Sequence, residues 1–454
     1  MADLVAVDAV VIGAGCAGLS AAVRLASAGR RVVVIEEAPR LGGRTSTFTD
    51  RESGERVDNG QHVLFGCYRE TFDFLREIGA ADLAPLEPAL ALSMADRHGR
   101  AYTLRCPRLP SPWHLVAGLA RWRAIPMRDR MSAVHLRHLL SDAKRDGAAA
   151  VATRVDPALT VADWLTAHRQ SPLLCEWLWH PLVFAALNQS PHEASAAIFV
   201  RVLGELFGGE AGAAAVALSR VPLDELVAAP AVRHLESRGG LVLMRTSARV
   251  MPGHDRAWHV KAGETFLRAP VVVSAVPWHA IDRLWEDKPP AAIADLVARA
   301  VSMRGLPIVT VNLWFDRPVM SGATYVGAVG GTMQWFFDKS AILRDGATHI
   351  SAVVSGAVDV VRLENDAMAT IAEDDTRRAL PMARDARLLR VVVVREPRAT
   401  FSLAPGAPAR PGTITPLPGF FLAGDWTDTG LPATIEGAVL SGHRAAAAVL
   451  ALVP

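Results

Sequence analysis

The sequence predicts an α/β protein: a Rossmann-like dinucleotide-binding domain, interrupted by an inserted α+β domain and a helical region. Three observations carry that expectation. Val10-Val11-Ile12 runs into Gly13-Ala14-Gly15-Cys16-Ala17-Gly18, and a helical pattern leads to a second apolar run, Val32 to Ile35, that ends on Glu36. Near the other end, Phe420-Phe421-Leu422-Ala423 runs into Gly424-Asp425 and then a helix rich in small residues. Between these stretches the pattern changes to basic helices, then to scattered strands.

The first loop has the order a dinucleotide site requires: strand, G-x-G-x-x-G, helix, strand, acid. Gly13 suits the tight turn, Gly15 removes a Cβ that would block a pyrophosphate, and Gly18 lets helix and strand pack closely. The helix N-terminus offers free N–H groups to phosphates. Glu36 falls 18 residues after Gly18, a suitable range for gripping ribose hydroxyls. Ser20 to Ala28 reads as the helix, stopped by Gly29. A second glycine pair follows in Arg40-Leu41-Gly42-Gly43-Arg44-Thr45, which suits a larger dinucleotide with Arg40 and Arg44 near its phosphates.

Next, Asp58-Asn59-Gly60-Gln61-His62-Val63-Leu64-Phe65-Gly66-Cys67-Tyr68 brackets a short apolar strand with polar side chains. It reads as a site wall, although His62 taken alone reads better as a satisfied structural histidine. From Arg97 to Arg145, eleven Lys or Arg face only Asp129 and Asp142, with Leu109, Trp113, Leu115, Val116, Leu119, Trp122, Ile125, Met127 and Met131 interleaved. That mixture suits an anionic membrane surface as well as it suits a solvated helical face. Leu173 to Leu187 is apolar nearly all round, a core helix or the wall of an apolar cavity. Leu223 to Glu236 reads as a helix, and Ala248-Arg249-Val250 as a strand. Val271 to Val276, next to Ala275 and Pro277, reads as a return to the nucleotide sheet. Ile308 to Phe315, His349 to Ser355 and Arg390 to Val394 are strands of another sheet, with Met368 to Leu380 a helix beside it.

At 454 residues, 51% hydrophobic and 21% charged, the chain is globular with two or three domains. A net charge of +2 argues against nucleic-acid binding. Cys16, Cys67, Cys106 and Cys175 lack metal-ligand or disulfide spacing, so reduced thiols and no metal are expected. No signal peptide and no spanning helix are expected, which places the chain in the cytoplasm or on the inner face of its membrane.

Together, the glycine loop, Arg40 to Thr45, Asp58 to Tyr68 and Gly424 to Gly442 resemble the FAD-dependent amine oxidase and carotenoid desaturase superfamily. Gly60 to Tyr68 and Ile435 to Gly442 are similar to segments of phytoene desaturases. Asp58 to His62, Trp179-His180-Pro181-Leu182, Leu187-Asn188 and Gly424-Asp425-Trp426 with Thr429 to Thr434 resemble the hydroxysqualene dehydroxylases of hopanoid biosynthesis. The resemblance implies noncovalent FAD. The implied contacts are Gly13, Gly15, Cys16, Ala17, Gly18, Glu36, Glu37, Arg40, Gly42, Gly43, Arg44, Gly60, Gln61, His62, Arg249, Val250, Ala275, Gly424, Asp425, Pro432, Ala433 and Thr434.

It further implies an FAD domain of the amine-oxidase type from residues 1–95, 220–290 and 401–454, a helical, membrane-facing insertion at 96–219, and a substrate sheet at 291–400. The implied reaction reduces hydroxysqualene, a long apolar isoprenoid, to squalene, with an electron donor that the sequence does not name. Loss of an allylic hydroxyl wants a general acid, and His62, with Asp58 and Tyr68 beside it, is the first candidate. Trp426 or Tyr68 could offer an aromatic face to a developing cation. Rival readings are a carotenoid desaturase working in the oxidative direction and a non-enzymatic prenyl-lipid carrier. An amine oxidase is disfavoured because lysines occur only at 144, 261, 288 and 339 and tyrosines only at 68, 102 and 325.

Overall fold

In the computed structural model, which describes residues 4–210, 212–253, 257–344 and 348–452, the two ends of the chain meet in one sheet. Its five parallel strands run in the order Leu241–Leu243, Val32–Ile35, Ala9–Ile12, Val271–Ser274, Phe420–Leu422. The four strands from Ala9, Val32, Val271 and Phe420 are buried throughout, as a parallel sheet covered on both faces requires. Helix Cys16–Ser27 covers it and packs on helix Ile435–Leu452. That last helix is long and apolar enough to cross a membrane by length and composition. It is nevertheless built into the domain, since Val439, Ala445, Ala446 and Val449 join the core that helix Cys16–Ser27 forms with the sheet. A separate sheet of four strands, Leu4–Ala6, Thr265–Ala269, Trp258–Ala262 and Ala248–Pro252, lies beside this domain.

The second large sheet has seven strands, in the order Leu388–Phe401, Gly305–Phe315, His349–Ser355, Trp335–Asp338, Tyr325–Ala328, Ala91–Ala95, Ala101–Arg105. The alternation of strand Gly305–Phe315 sets its two faces. Val309, Val311, Leu313 and Phe315 pack with Met368 and Ala372 of helix Asn365–Ala379. Ile308, Thr310, Asn312 and Trp314 alternate with them on the opposite face, where Ile308 packs against a core shared with Trp122, Trp177 and Phe199 of the helical insertion.

One hairpin of this sheet does not stand out in the sequence. Ala91–Ala95 pairs with Ala101–Arg105 through a turn at Asp96–Gly99, so Arg97, Arg100 and Arg105 belong to a β-hairpin, not to the helices expected across 96–219. The apolar helix expected from Leu173 runs over Pro172–Leu187, with a π-helical turn at Cys175–Trp179. Leu223 to Glu236 divides into Leu223–Leu226 and Ala228–Glu236, because Val227 leaves helical geometry at φ −116°.

Candidate active site

The glycine loop has the geometry its sequence demands. Gly13 adopts φ +103°, and a Cβ there would lie 2.7 Å from the Ala275 carbonyl. A Cβ at Gly18 would fall 1.9 Å from the Gly13 carbonyl oxygen, so helix and strand touch through backbone. At Gly15 the reverse holds: a Cβ would meet no atom within 4 Å, leaving open space before the helix. The helix start has no side-chain cap and no acid in its first turn, so its amides and positive dipole end face that space.

Gly42 binds back through its N–H to the Ala14 carbonyl, placing Gly42-Gly43 against Gly15. Glu36 accepts from the Ala14 and Ala38 amides at 2.7 and 2.9 Å; each oxygen keeps a lone pair for ribose hydroxyls. Glu37 and Arg40 stand exposed nearby. Residues 243–246 bond to Glu36 and Ala38, which brings Arg249 and Val250 to this end of the loop, although the Arg249 side chain is exposed. An open cradle, an uncapped helix N-terminus and an acid with spare lone pairs fit the ADP half of FAD.

Towards the other end of the site, the Arg44 guanidinium is tied to Asp425 and to the Ala399 carbonyl, both at 2.7 Å. It is therefore not a free phosphate ligand. Burial works against its charge, and Asp425 outweighs burial, holding the arginine above its ordinary value. Thr434 caps the final helix through the Gly437 amide at 3.1 Å, directly after Pro432 and Ala433. The Thr310 hydroxyl is buried with no partner among the described residues, and a methyl at Gly60 would lie 3.6 Å from it. An orphaned hydroxyl beside a glycine suits the polar edge of a flavin ring.

The four candidate catalytic residues are placed differently from expectation. Asp58 is not an acid poised for substrate: the Thr47 hydroxyl, the Leu223 amide and the Lys339 ammonium all donate to its carboxylate, at 2.7, 3.0 and 3.0 Å. Lys339 also donates to Gln61 at 3.0 Å, so a lysine does stand within this cluster despite their scarcity in the chain. His62 donates from Nε2 to the Arg44 carbonyl at 3.0 Å. Burial lowers its pKa, partly offset by the bond to the Arg44 carbonyl and by Asp58, so the site disfavours the imidazolium. Tyr68 is pushed far up by burial, so its phenol keeps its proton. Trp426 is completely buried under the Gly424 turn, its indole N–H bonded to the Val276 carbonyl at 2.9 Å; no ring face is left for a substrate cation.

Several contributors were not legible in the sequence. Glu436 caps helix Arg69–Glu77 by accepting from the Glu70 amide, the Thr71 amide and the Thr71 hydroxyl at 3.0, 2.9 and 2.7 Å, which fixes Tyr68 at that helix start. Asn188, in the left-handed region at φ 51°, bonds to Leu306, Thr400 and Gly356 at 3.3, 2.9 and 2.6 Å. It pins the end of the apolar helix to the seven-stranded sheet. The half-buried Val63, Phe65, Leu182, Ile198, Val202, Ile308 and Trp335 pack around the same core. They form a partly buried apolar lining over that core. Among the described residues no cluster of metal-ligating side chains occurs.

Comparison with known proteins agrees with this geometry. Residues 16–450 match the family model described as flavin containing amine oxidoreductase. The chain is 31% identical to a hydroxysqualene dehydroxylase of Rhodopseudomonas palustris, over 97% of this chain and 98% of that one. A hydroxysqualene dehydroxylase of Sinorhizobium fredii is 30% identical over 96% of each chain. A 15-cis-phytoene desaturase of Synechococcus elongatus is 26% identical over 97% of this chain and 95% of that one. Among solved structures, a putrescine oxidase variant superimposes with a TM-score of 0.75 at 18% identity, over 99% of this chain and all of that one. At that identity the likeness shows the fold alone.

Proposed function

Since the chain belongs to the flavin containing amine oxidoreductase family and is an FAD-dependent oxidoreductase, we propose that it reduces hydroxysqualene to squalene. The observation that carries this reading is similarity over almost the whole length to relatives named hydroxysqualene dehydroxylase, at higher identity than to the phytoene desaturase. The apolar lining supports it, because a long hydrocarbon chain gains about 25 cal/mol for each Å² of apolar surface it removes from water. Reduced FAD, when bound, supplies a hydride and a proton, so an allylic C–OH becomes C–H and the hydroxyl leaves as water.

The protein's own side chains then bind, orient and exclude solvent. Glu36 and the amides at Gly15 and Cys16 would hold the ADP half; Asp425, oriented by Arg44, and the Thr434 turn would hold the flavin half. Neither His62 nor Asp58 supplies the proton in this reading; both shape the wall. The substrate would enter from the cytoplasmic membrane across the region of Leu109, Trp113 and Met127, and a soluble or membrane-borne donor would re-reduce the flavin.

Anaerobic mixing of the photoreduced holoenzyme with hydroxysqualene tests the reading, with oxidised enzyme and phytoene run in parallel. Flavin reoxidation with stoichiometric squalene is the expected result. Desaturation of phytoene by the oxidised enzyme, with hydroxysqualene left unchanged, would assign the chain to the oxidative branch instead.

A further inference from the structure

Helix Ala196–Phe207 presents two faces. Ala196, Phe199, Val200, Leu203, Leu206 and Phe207 are buried in the core. The other stripe, Ala197, Ile198, Arg201, Val202 and Glu205, is only partly buried. Ile198 and Val202 belong to the apolar lining, so Arg201 and Glu205 form a charged pair within an otherwise greasy wall. Their separation is 2.8 Å, and the Arg201 side chain keeps 19% of its accessibility. Its Nε is buried with no hydrogen-bond partner among the described residues.

What the pair faces is the candidate active site. A methyl at Gly430, two residues before Pro432, would lie 3.9 Å from Arg201 Nη1. The strand after the helix is laced to the Gly60–Tyr68 segment: Phe65 pairs with Val216, and the Gly66 and Cys67 amides bond to Ala215 and Ala213. Burial and then Glu205 push the Cys67 thiol up to about 12, which puts that carboxylate on the Cys67 side. An arginine with an unmet buried N–H in an apolar wall costs stability and calls for a partner.

A squalene-type chain repeats its isoprene unit, so an apolar tunnel cannot tell which carbon lies at the flavin. The hydroxyl is the one polar mark on that chain. We propose that Arg201, oriented by Glu205, donates a hydrogen bond to the hydroxyl oxygen of the alcohol substrate and so sets the register of the chain in the tunnel. The proposal rests on the dehydroxylase reading above, and His62, Asp58 and Trp426 are already bonded to protein partners.

The test is equilibrium binding of hydroxysqualene and of squalene to the oxidised holoenzyme in detergent, followed by the visible flavin spectrum. Wild type should prefer the alcohol by about tenfold or more, the worth of one hydrogen bond from a charged donor. Arg201→Met should bring the two affinities within about twofold by weakening the alcohol alone, at unchanged flavin content. Arg201→Lys, which keeps the cation in case the methionine variant fails to fold, should retain a reduced preference. Ile198→Ala should weaken both ligands alike. An unchanged preference in the Arg201 variants, an equal loss for both ligands, or no preference in wild type would overturn the anchor. Failure of wild type to convert hydroxysqualene at all would instead remove the reading beneath it.

Discussion

His349 shows how much one buried side chain depends on neighbours that the sequence keeps far away. It stacks on Trp314 at 4.2 Å, bonds to the Asn312 side chain at 2.9 Å, and is 5% exposed. Burial, and then Lys339, lower its pKa to about 3. In the unfolded chain the same ring titrates near about 6.5. Between those values the unfolded state holds a proton that the folded state lacks, so stability falls as pH drops below about 6.5 and levels off near the folded value. The holoenzyme should therefore lose up to about 1.4 kcal/mol per pH unit from this group on acidification. Thermal denaturation of wild type and His349→Gln between pH 7 and 4.5 checks this, and equal slopes would exclude the histidine as a source.

The same scale separates what was legible from what was not. Gly13, Gly15 and Gly18 could be assigned from sequence because backbone geometry alone dictates them. Lys339 could not, because its partner Asp58 lies 281 residues away; nor could the bonds of His62 to the Arg44 carbonyl and of Trp426 to the Val276 carbonyl.

Among the elements, helix Pro172–Leu187 was readable by its apolar run, but its attachment was not. The π turn and the left-handed Asn188 at its end direct it onto three segments of the seven-stranded sheet, and Asn188 is 3% exposed. Removing that side chain strands the Gly356 N–H and the Leu306 carbonyl in a buried place. Asn188→Ala should cost about 3 kcal/mol, with further strain because alanine resists a positive φ. Denaturant titration of the holoenzyme measures it; a change below about 0.5 kcal/mol would mean that water replaces the amide. Hairpin Ala91–Arg105 escaped notice for the opposite reason. Its turn signal at Asp96 to Gly99 sat inside a run conspicuous for positive charge, and charge says nothing of strand or helix.

For the whole molecule, the interleaving of the two domains followed from motifs at both chain ends, since a strand ending in Gly-Asp has little other reason to follow a Pro-rich connection. The surface is a different matter, because a net charge of +2 hides how charge is arranged. The structure divides the Arg97 to Arg145 region into two faces. Leu115, Leu119, Trp122 and Ile125 are core, while Leu109, Trp113, Val116, Met127 and Met131 are 37–63% exposed. Arg108, Arg121, Arg123 and Arg128 are exposed in the same stretch. Apolar tips among arginines are the composition that inserts into a headgroup layer, each cation near an anionic surface adding about 1 kcal/mol. The proposed membrane contact therefore predicts co-sedimentation with phosphatidylglycerol vesicles and much weaker binding to phosphatidylcholine vesicles. Added salt should weaken the association without abolishing it, since screening acts on the arginines and not on the apolar tips. Replacing Trp113, Met127 and Met131 together by serine should lower the partition at least tenfold, given roughly 1.5–3 kcal/mol for each large side chain that is buried. Wild-type protein left in the supernatant with anionic vesicles at low salt would assign this face to solvent and require another route for the substrate.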